Sequence, residues 1–174
     1  MEVLDRIEDY ILIAANAKNL VNEINQYKSR DVISSIGGEN EVLAKINRTK
    51  IAEAEEKLKN VQELLKDSKY ALLRTVKGSS KEDIATAKDR VSSKIKELES
   101  YLSMLRKKIK DAYVNGDKAH MIGDLKKEKE HNGEYRRLYS EIMELNPIIE
   151  SYGEVVDVLG GQSLESSNEV EPSK

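Results

Sequence analysis

Residues 84–112 read IATAKDRVSSKIKELESYLSMLRKKIKDA, and apolar side chains recur in this stretch at alternating intervals of four and three residues. The positions in this ladder are Ile84, Lys88, Val91, Ile95, Leu98, Leu102, Leu105, Ile109 and Ala112. On a helix of about 3.6 residues per turn, this spacing forms one stripe, as in the seam of a coiled coil. Only Lys88 interrupts it, so the stretch predicts a long helix that buries one narrow face.

A second ladder precedes the first. Its positions are Ile51, Ala54, Leu58, Val61, Leu65, Ser68 and Leu72. The segment Gly78-Ser79-Ser80 between the ladders is long enough only to turn the chain back. Ser79 with Glu82, or Ser80 with Asp83, has the spacing of a capping box, which satisfies free amides at the start of a helix. We therefore predict two long antiparallel helices that form a coiled-coil hairpin.

The fold class predicted for the whole chain is all-α. We expect an elongated antiparallel helical bundle, built on the long hairpin, with flanking helices and a disordered C-terminal tail. The predicted helices cover about 2–29, 39–77, 80–115 and 117–145, inside one domain over residues 1–159. Asn115-Gly116 is expected to end the third helix, Asp117 to cap the fourth, and Pro147 to interrupt the fourth. Whether three or four helices form the core stays open.

Composition limits the kinds of site that the chain can build. The 174 residues include no Cys, which excludes disulfides, thiolate metal sites and thiol nucleophiles. The net charge is −3, and the acidic excess lies near the C-terminus, where residues 160–174 are predicted to be a disordered acidic tail. The longest apolar run, residues 10–15, is far shorter than the roughly 20 residues of a membrane span. We expect a cytoplasmic protein without a membrane span.

The two histidines are the best candidates for metal chemistry, because each follows an acidic residue by three positions. These pairs are Asp117 with His120 and Glu128 with His131. A di-metal site needs such pairs on facing helices, yet both pairs fall on one predicted helix, roughly 16 Å apart. We therefore predict no metal, no cofactor and no catalytic residue, and expect a protein that is not an enzyme.

Two groups of residues are candidates for an interaction surface. Ile11, Ile13 and Leu20 widen the apolar stripe of the first helix beyond what one neighbour covers. On the predicted fourth helix, Tyr135 and Tyr139 stand one turn apart and flank Arg136. Tyrosine and arginine are common anchors of protein interfaces, although packing inside the bundle explains such tyrosines equally well.

A basic run, Arg106, Lys107 and Lys108, is a weaker candidate for a nucleic-acid patch, because acidic residues alternate with the basic ones around it. We rank a protein partner above nucleic acid. The sequence thus predicts a noncatalytic protein–protein interaction protein, a scaffold, adaptor or assembly factor that forms homo-oligomers. The alternatives are a small helical chaperone that shields a partner's amphipathic helix, and a nucleic-acid-associated helical protein.

Overall fold

The computed structural model describes residues 2–36 and 41–161, and in these ranges every regular element is an α-helix. The four helices are α1 (Glu2–Ile36), α2 (Glu41–Gly78), α3 (Lys81–Met121) and α4 (Leu125–Leu159). Helix α1 packs antiparallel against α2, and α3 packs antiparallel against α4. The predicted all-α class and the antiparallel helical packing are confirmed.

The chain divides into two compact units, Met1–Ala87 and Lys88–Lys174, and the division falls inside α3. The first unit contains the α1–α2 pair, and the second contains α4 and the part of α3 from Lys88 onward. A single bundle domain over residues 1–159, built on a hairpin of the second and third helices, would join both units and stays a prediction.

The first unit owes its packing to a wide apolar stripe on α1. Its buried apolar residues on α1 are Val3, Ile7, Tyr10, Ile11, Ala14, Ala15, Ala17, Leu20 and Ile24. In α2 the buried positions Ala54 and Leu72 both belong to the predicted second ladder. Ion pairs from Lys28 to Glu55 (3.1 Å) and from Arg48 to Asp31 (3.9 Å) connect the two helices at the surface.

The second unit has its core along the α3–α4 seam. The core consists of Leu102, Leu105, Ala112, Leu138 and Leu145, with Leu98, Ile109, Tyr135, Ile142 and Ile149 packed around it. The apolar ladder of residues 84–112 is thus the buried face of α3, and from Leu98 to Ala112 it packs against α4. The ladder continues through Gly116, where a side-chain Cβ would lie 3.1 Å from Asn132 Oδ1 and 3.5 Å from His131 Cβ.

This close approach explains why α3 does not end where the sequence suggested. Asn115-Gly116 is a good helix stop by composition, but Gly116 is buried against α4 and the helix continues to Met121. The helix ends instead in a Schellman motif: Gly123 (φ 73°) donates to His120 O, and Asp124 N donates to Ala119 O at 2.9 Å. The N-cap of α4 is Asp124 rather than Asp117, because its carboxylate accepts from Lys127 N.

Helix α4 also continues through Pro147 to Leu159, where the sequence predicted an interruption. Proline has no amide hydrogen to donate to the preceding turn, so the helix forgoes one hydrogen bond there. The second half of α4 is nevertheless held by burial of Ser151, Val155 and Val158, and the Ser151 hydroxyl donates to Pro147 O at 2.7 Å. Packing outweighs the local penalty.

The remaining differences lie at the ends of elements. Helix α1 continues to Ile36, so residues 30–36, which follow the predicted end of the first helix at residue 29, are helical. Residues 37–40 lie outside the described residues, as does the predicted tail from residue 162 onward. Within the described ranges, no helix has the combination of length and hydropathy that a membrane-spanning segment requires.

Candidate interaction surfaces

Three tyrosines from α3 and α4 form an aromatic cluster on the second unit. The ring centroids of Tyr113 and Tyr135 are 6.2 Å apart with a tilt of 53°, and those of Tyr135 and Tyr139 are 6.3 Å apart with planes only 13° from parallel. Tyr135 packs against the core, whereas Tyr113 is 64% exposed and Tyr139 49% exposed. We call Tyr113, Tyr135, Tyr139 and the neighbouring Arg136 the tyrosine surface.

The helices place these side chains together for simple geometric reasons. Tyr135 and Tyr139 are four residues apart, so they lie on one face of α4, and Arg136 is exposed beside them. Among the described residues Arg136 has no ion-pair partner. Sequence reasoning named these three residues but missed Tyr113. Its only signal was register: an antiparallel α3–α4 seam brings Tyr113 opposite Tyr135.

A hydrogen bond on the same unit also ties α3 to α4, and its acceptor Glu141 forms an ion pair within α4. The Tyr101 hydroxyl donates to Glu141 Oε1, and Arg137 Nη1 lies 3.4 Å from Glu141 Oε2. The hydrogen bond to Glu141 is the main reason that the pKa of Tyr101 is raised, with desolvation and the negative charge of Glu141 acting in the same direction. The phenol therefore stays protonated at neutral pH and acts as a donor that fixes the helix pair.

The candidate interaction residues of α1, Ile11, Ile13 and Leu20, are mainly buried. Ile11 and Leu20 are buried, and Ile13 is half-buried. Within residues 2–31 of α1, the large apolar side chains that are exposed are Leu12, at 74%, and Val21, at 41%. Ile11 and Leu20 therefore help to build the fold.

The basic candidates Arg106, Lys107 and Lys108 are all exposed, and none has an ion-pair partner among the described residues. Consecutive residues on a helix point about 100° apart, so the three side chains diverge. They contribute positive charge to more than one face of α3, and do not by themselves form a single flat patch.

The turn between α3 and α4 carries a feature that sequence reasoning missed. Met121, Ile122 and Leu125 are 76%, 75% and 74% exposed, and we call these three residues the apolar tip. Beside it lies a mostly apolar cleft of about 410 Å³, lined by Asn115, Lys118, Ala119, Met121, Ile122, Lys127 and His131. Ile122 and Leu125 fall within the predicted fourth helix, about 117–145, whereas the structure places them at the Schellman turn, where they are exposed to solvent. The signal for this turn was Gly123 followed by the capping residue Asp124.

The histidines do not assemble into a metal-binding group in the described part of the chain. His120 Nδ1 lies 3.1 Å from Glu128 Oε1, a contact that joins the end of α3 to the start of α4. Glu128 thus contacts the histidine of the other predicted pair, while His131 lines the cleft. No group of three His, Asp or Glu side chains able to hold a metal occurs within residues 2–36 and 41–161.

A polar cleft of about 470 Å³ lies on the first unit, where the start of α1 meets the end of α2. Arg6, Arg74 and the exposed Tyr70 line it together with Glu2, so its charge is mixed. Arg6 is also within 3.8 Å of Asp9. The balance of charges gives this cleft no clear preference for an anion or a cation.

Comparison with protein-family models, curated proteins and solved structures finds no match to this chain. Its function must be inferred from its own surfaces.

Proposed function

We propose that this chain is a noncatalytic protein–protein interaction protein, a scaffold, adaptor or assembly factor, and that the tyrosine surface binds its protein partner. The observation that carries the proposal is the group of three contacting tyrosine rings, two of them about half exposed or more, beside an arginine without an ion-pair partner among the described residues. Tyrosine and arginine dominate the binding energy of many protein interfaces, since they combine a large apolar area with a polar end.

The contacts among the three rings support this proposal. Tyr135 is packed against the α3–α4 core, and its ring contacts both other rings, so the exposed tyrosines are held before a partner arrives. Side chains that are ordered in advance lose less conformational entropy on binding, which favours affinity.

The finer architecture belongs to the same proposal. We propose coiled-coil faces built from the two ladders, including a hairpin over residues 39–115, and homo-oligomerisation of the chain. Support for the coiled-coil faces comes from the ladders themselves, whose positions in α2 and α3, except Lys88, are buried or half-buried within the single chain. A cytoplasmic location is part of the proposal as well.

The test compares the wild-type chain with Tyr139→Ser and with a matched control, Tyr70→Ser. Tyr70 lies on α2 and is 69% exposed, so both substitutions remove an exposed tyrosine. Each purified protein is immobilised and exposed to extract from its own source, and retained proteins are identified by quantitative mass spectrometry. We expect at least one protein to be retained by the wild type and by Tyr70→Ser, and to fall at least tenfold with Tyr139→Ser.

The best retained protein is then purified and titrated against the three chains. The proposal requires an affinity at least tenfold weaker for Tyr139→Ser than for Tyr70→Ser. Equal retention and equal affinity of the two variants would reject the tyrosine surface as the binding site.

A nucleic-acid function is the second candidate, because Arg106, Lys107 and Lys108 are exposed without ion-pair partners in the described residues. Phosphate contacts make such binding strongly dependent on salt. This function predicts retention on DNA or RNA at low salt that is lost in a triple Glu variant of these residues. Retention that is unchanged in the triple variant would reject this candidate.

A further inference from the structure

The apolar tip is exposed because the backbone holds it there. The Schellman bonds of Gly123 and Asp124 fix the end of α3, and the Asp124 carboxylate fixes the start of α4. At this turn the side chains of Met121, Ile122 and Leu125 are each about three-quarters exposed. Single exposed apolar side chains are ordinary on a protein surface, whereas several at one turn beside an apolar cleft are a candidate for cover by another surface.

The cleft beside the tip offers space of the same apolar character. Its volume is about 410 Å³, and Ala119 lies at its wall. A cavity on the order of 150 Å³ already accepts a small hydrocarbon such as benzene, so an aliphatic side chain fits this cleft. The tip and the cleft share Met121 and Ile122, so the protruding residues and the space that could receive them lie side by side.

We propose that the occupant of this cleft is the apolar tip of a second copy of the chain, in a symmetric tip-to-tip dimer. In a two-fold interface each copy presents the same patch, so the tip of each copy enters the cleft of the other. The inference deepens the homo-oligomerisation in the proposed function, and it does not depend on the tyrosine surface.

Charge favours a second copy over an anionic membrane. Residues 117–130 contain four lysines and four carboxylates. Two of the carboxylates have contacts inside the segment: Asp124 lies 3.5 Å from Lys127, and Glu128 lies 3.1 Å from His120. A balanced surface does not repel its own copy, whereas attraction to anionic lipid requires an excess of positive charge.

The size of the tip determines how strong this dimer is. Three side chains per copy cover much less than the roughly 800 Å² per partner of a typical stable interface. The dimer is therefore weak and reversible, and its fraction rises with protein concentration.

The first experiment measures the mass of the full chain by sedimentation over a hundredfold range of concentration. We expect the wild type to shift from 19.7 kDa towards twice that mass, and Ile122→Glu to remain at 19.7 kDa throughout. The matched control is Leu64→Glu, since Leu64 is 57% exposed on α2. We expect this control to associate like the wild type, and circular dichroism to show equal helicity in all three chains.

The second experiment uses the absence of cysteine from the chain. Ile122→Cys and Leu64→Cys each introduce a single thiol, and a disulfide forms readily only when the two Cα atoms approach within about 7 Å. Under mild oxidation, Ile122→Cys should form a covalent dimer at least tenfold faster than Leu64→Cys.

Three results would overturn the proposal. One is a wild-type chain that stays monomeric at every concentration, and another is an Ile122→Glu variant that dimerises like the wild type. The third is binding of the wild type, but not of Ile122→Glu, to vesicles of phosphatidylcholine and phosphatidylserine without any dimer. None of these results affects the partner retention measured with Tyr139→Ser, so failure here is distinguishable from failure of the tyrosine surface.

Discussion

At the residue scale, Asp124 connects the geometry of a turn to a titratable group. Its carboxylate accepts from Lys127 N at 3.1 Å. This backbone hydrogen bond is the main reason that the pKa of Asp124 is lowered from 3.8, with the side chain of Lys127 adding to it. A carboxylate at a helix N-terminus also interacts favourably with the helix dipole.

Because the pKa of Asp124 is lowered, its contribution to the free energy of unfolding depends on pH. Since the folded pKa lies below the unfolded value of 3.8, the contribution of Asp124 is complete above pH 3.8 and disappears as the pH falls through the folded pKa. Asp124→Asn keeps a capping side chain but removes this titration. Urea unfolding of the wild type and of Asp124→Asn should show that their difference in free energy of unfolding narrows as the pH falls from 7 to 2. A constant difference would contradict the assignment.

The glycines of the α3–α4 pair differ in what they do, and alanine substitution should separate them. Gly133 lies inside α4 with open space where a Cβ would be, so Gly133→Ala should raise the free energy of unfolding by about 0.5–1 kcal/mol. Gly123 has φ +73°, so Gly123→Ala should lower it by about 1–2 kcal/mol. Chemical denaturation measures both. Changes of the same sign would show that backbone conformation does not determine the effects.

At the element scale, the seam between α3 and α4 is the main stabilising contact of the second unit. Leu138 is 1% exposed and belongs to the buried cluster with Leu102 and Leu105. Removing most of its side chain loses apolar burial and leaves a cavity that the neighbouring helices fill only in part.

Leu138→Ala should therefore lower the free energy of unfolding by about 2–5 kcal/mol. The control Leu64→Ala truncates a leucine that is 57% exposed and should cost less than about 0.5 kcal/mol. Urea titration followed by circular dichroism gives both values. Similar costs for the two variants would mean that the seam is not a packed core.

The elements also show where sequence patterns succeed and where they fail. Of the two caps predicted for α3, the one at Ser80 is confirmed: the Ser80 hydroxyl accepts from Asp83 N at 3.1 Å and donates to Asp83 Oδ2 at 2.7 Å. Caps are local, so four residues of sequence suffice to predict them. The predicted helix ends at Gly116 and Pro147 were wrong because both positions are buried against other parts of the chain. Packing there outweighs the local preference against helix, which is about 1 kcal/mol at a glycine.

At the scale of the whole molecule, the charge is nearly balanced, and several ion pairs among the described residues lie at the surface. The net charge is −3, and pairs such as Lys28 with Glu55 and Arg137 with Glu141 have side chains between 33% and 65% exposed. Exposed pairs contribute little, because water and salt screen them.

Stability should therefore depend only weakly on salt. Between about 0.05 and 0.5 M sodium chloride we expect the free energy of unfolding to change by less than about 1 kcal/mol. Urea titrations at the two salt concentrations provide the measurement. A loss of several kcal/mol at high salt would indicate that an ionic network stabilises the fold.

The sequence by itself determined the helical class, the buried face of α3 and the capping of its first turn, because the apolar periodicity and the cap residues act within a few turns of one helix. It also identified Tyr135, Arg136 and Tyr139 as neighbours, since helical spacing alone brings them together. Only the tertiary structure decided that α4 covers the seam from Leu98 to Ala112. An apolar stripe specifies that it must be buried, but many helices can cover it equally well.

The tertiary structure likewise decided which residues are left for partners. Tyr113 joins the tyrosine surface through the register of α3 against α4, and Ile11 and Leu20 are taken up by the interior. The apolar tip exists because the α3–α4 contact carries α3 past Gly116 and places the turn at Gly123. Exposure is a property of all the contacts in the chain, so a local pattern cannot specify it.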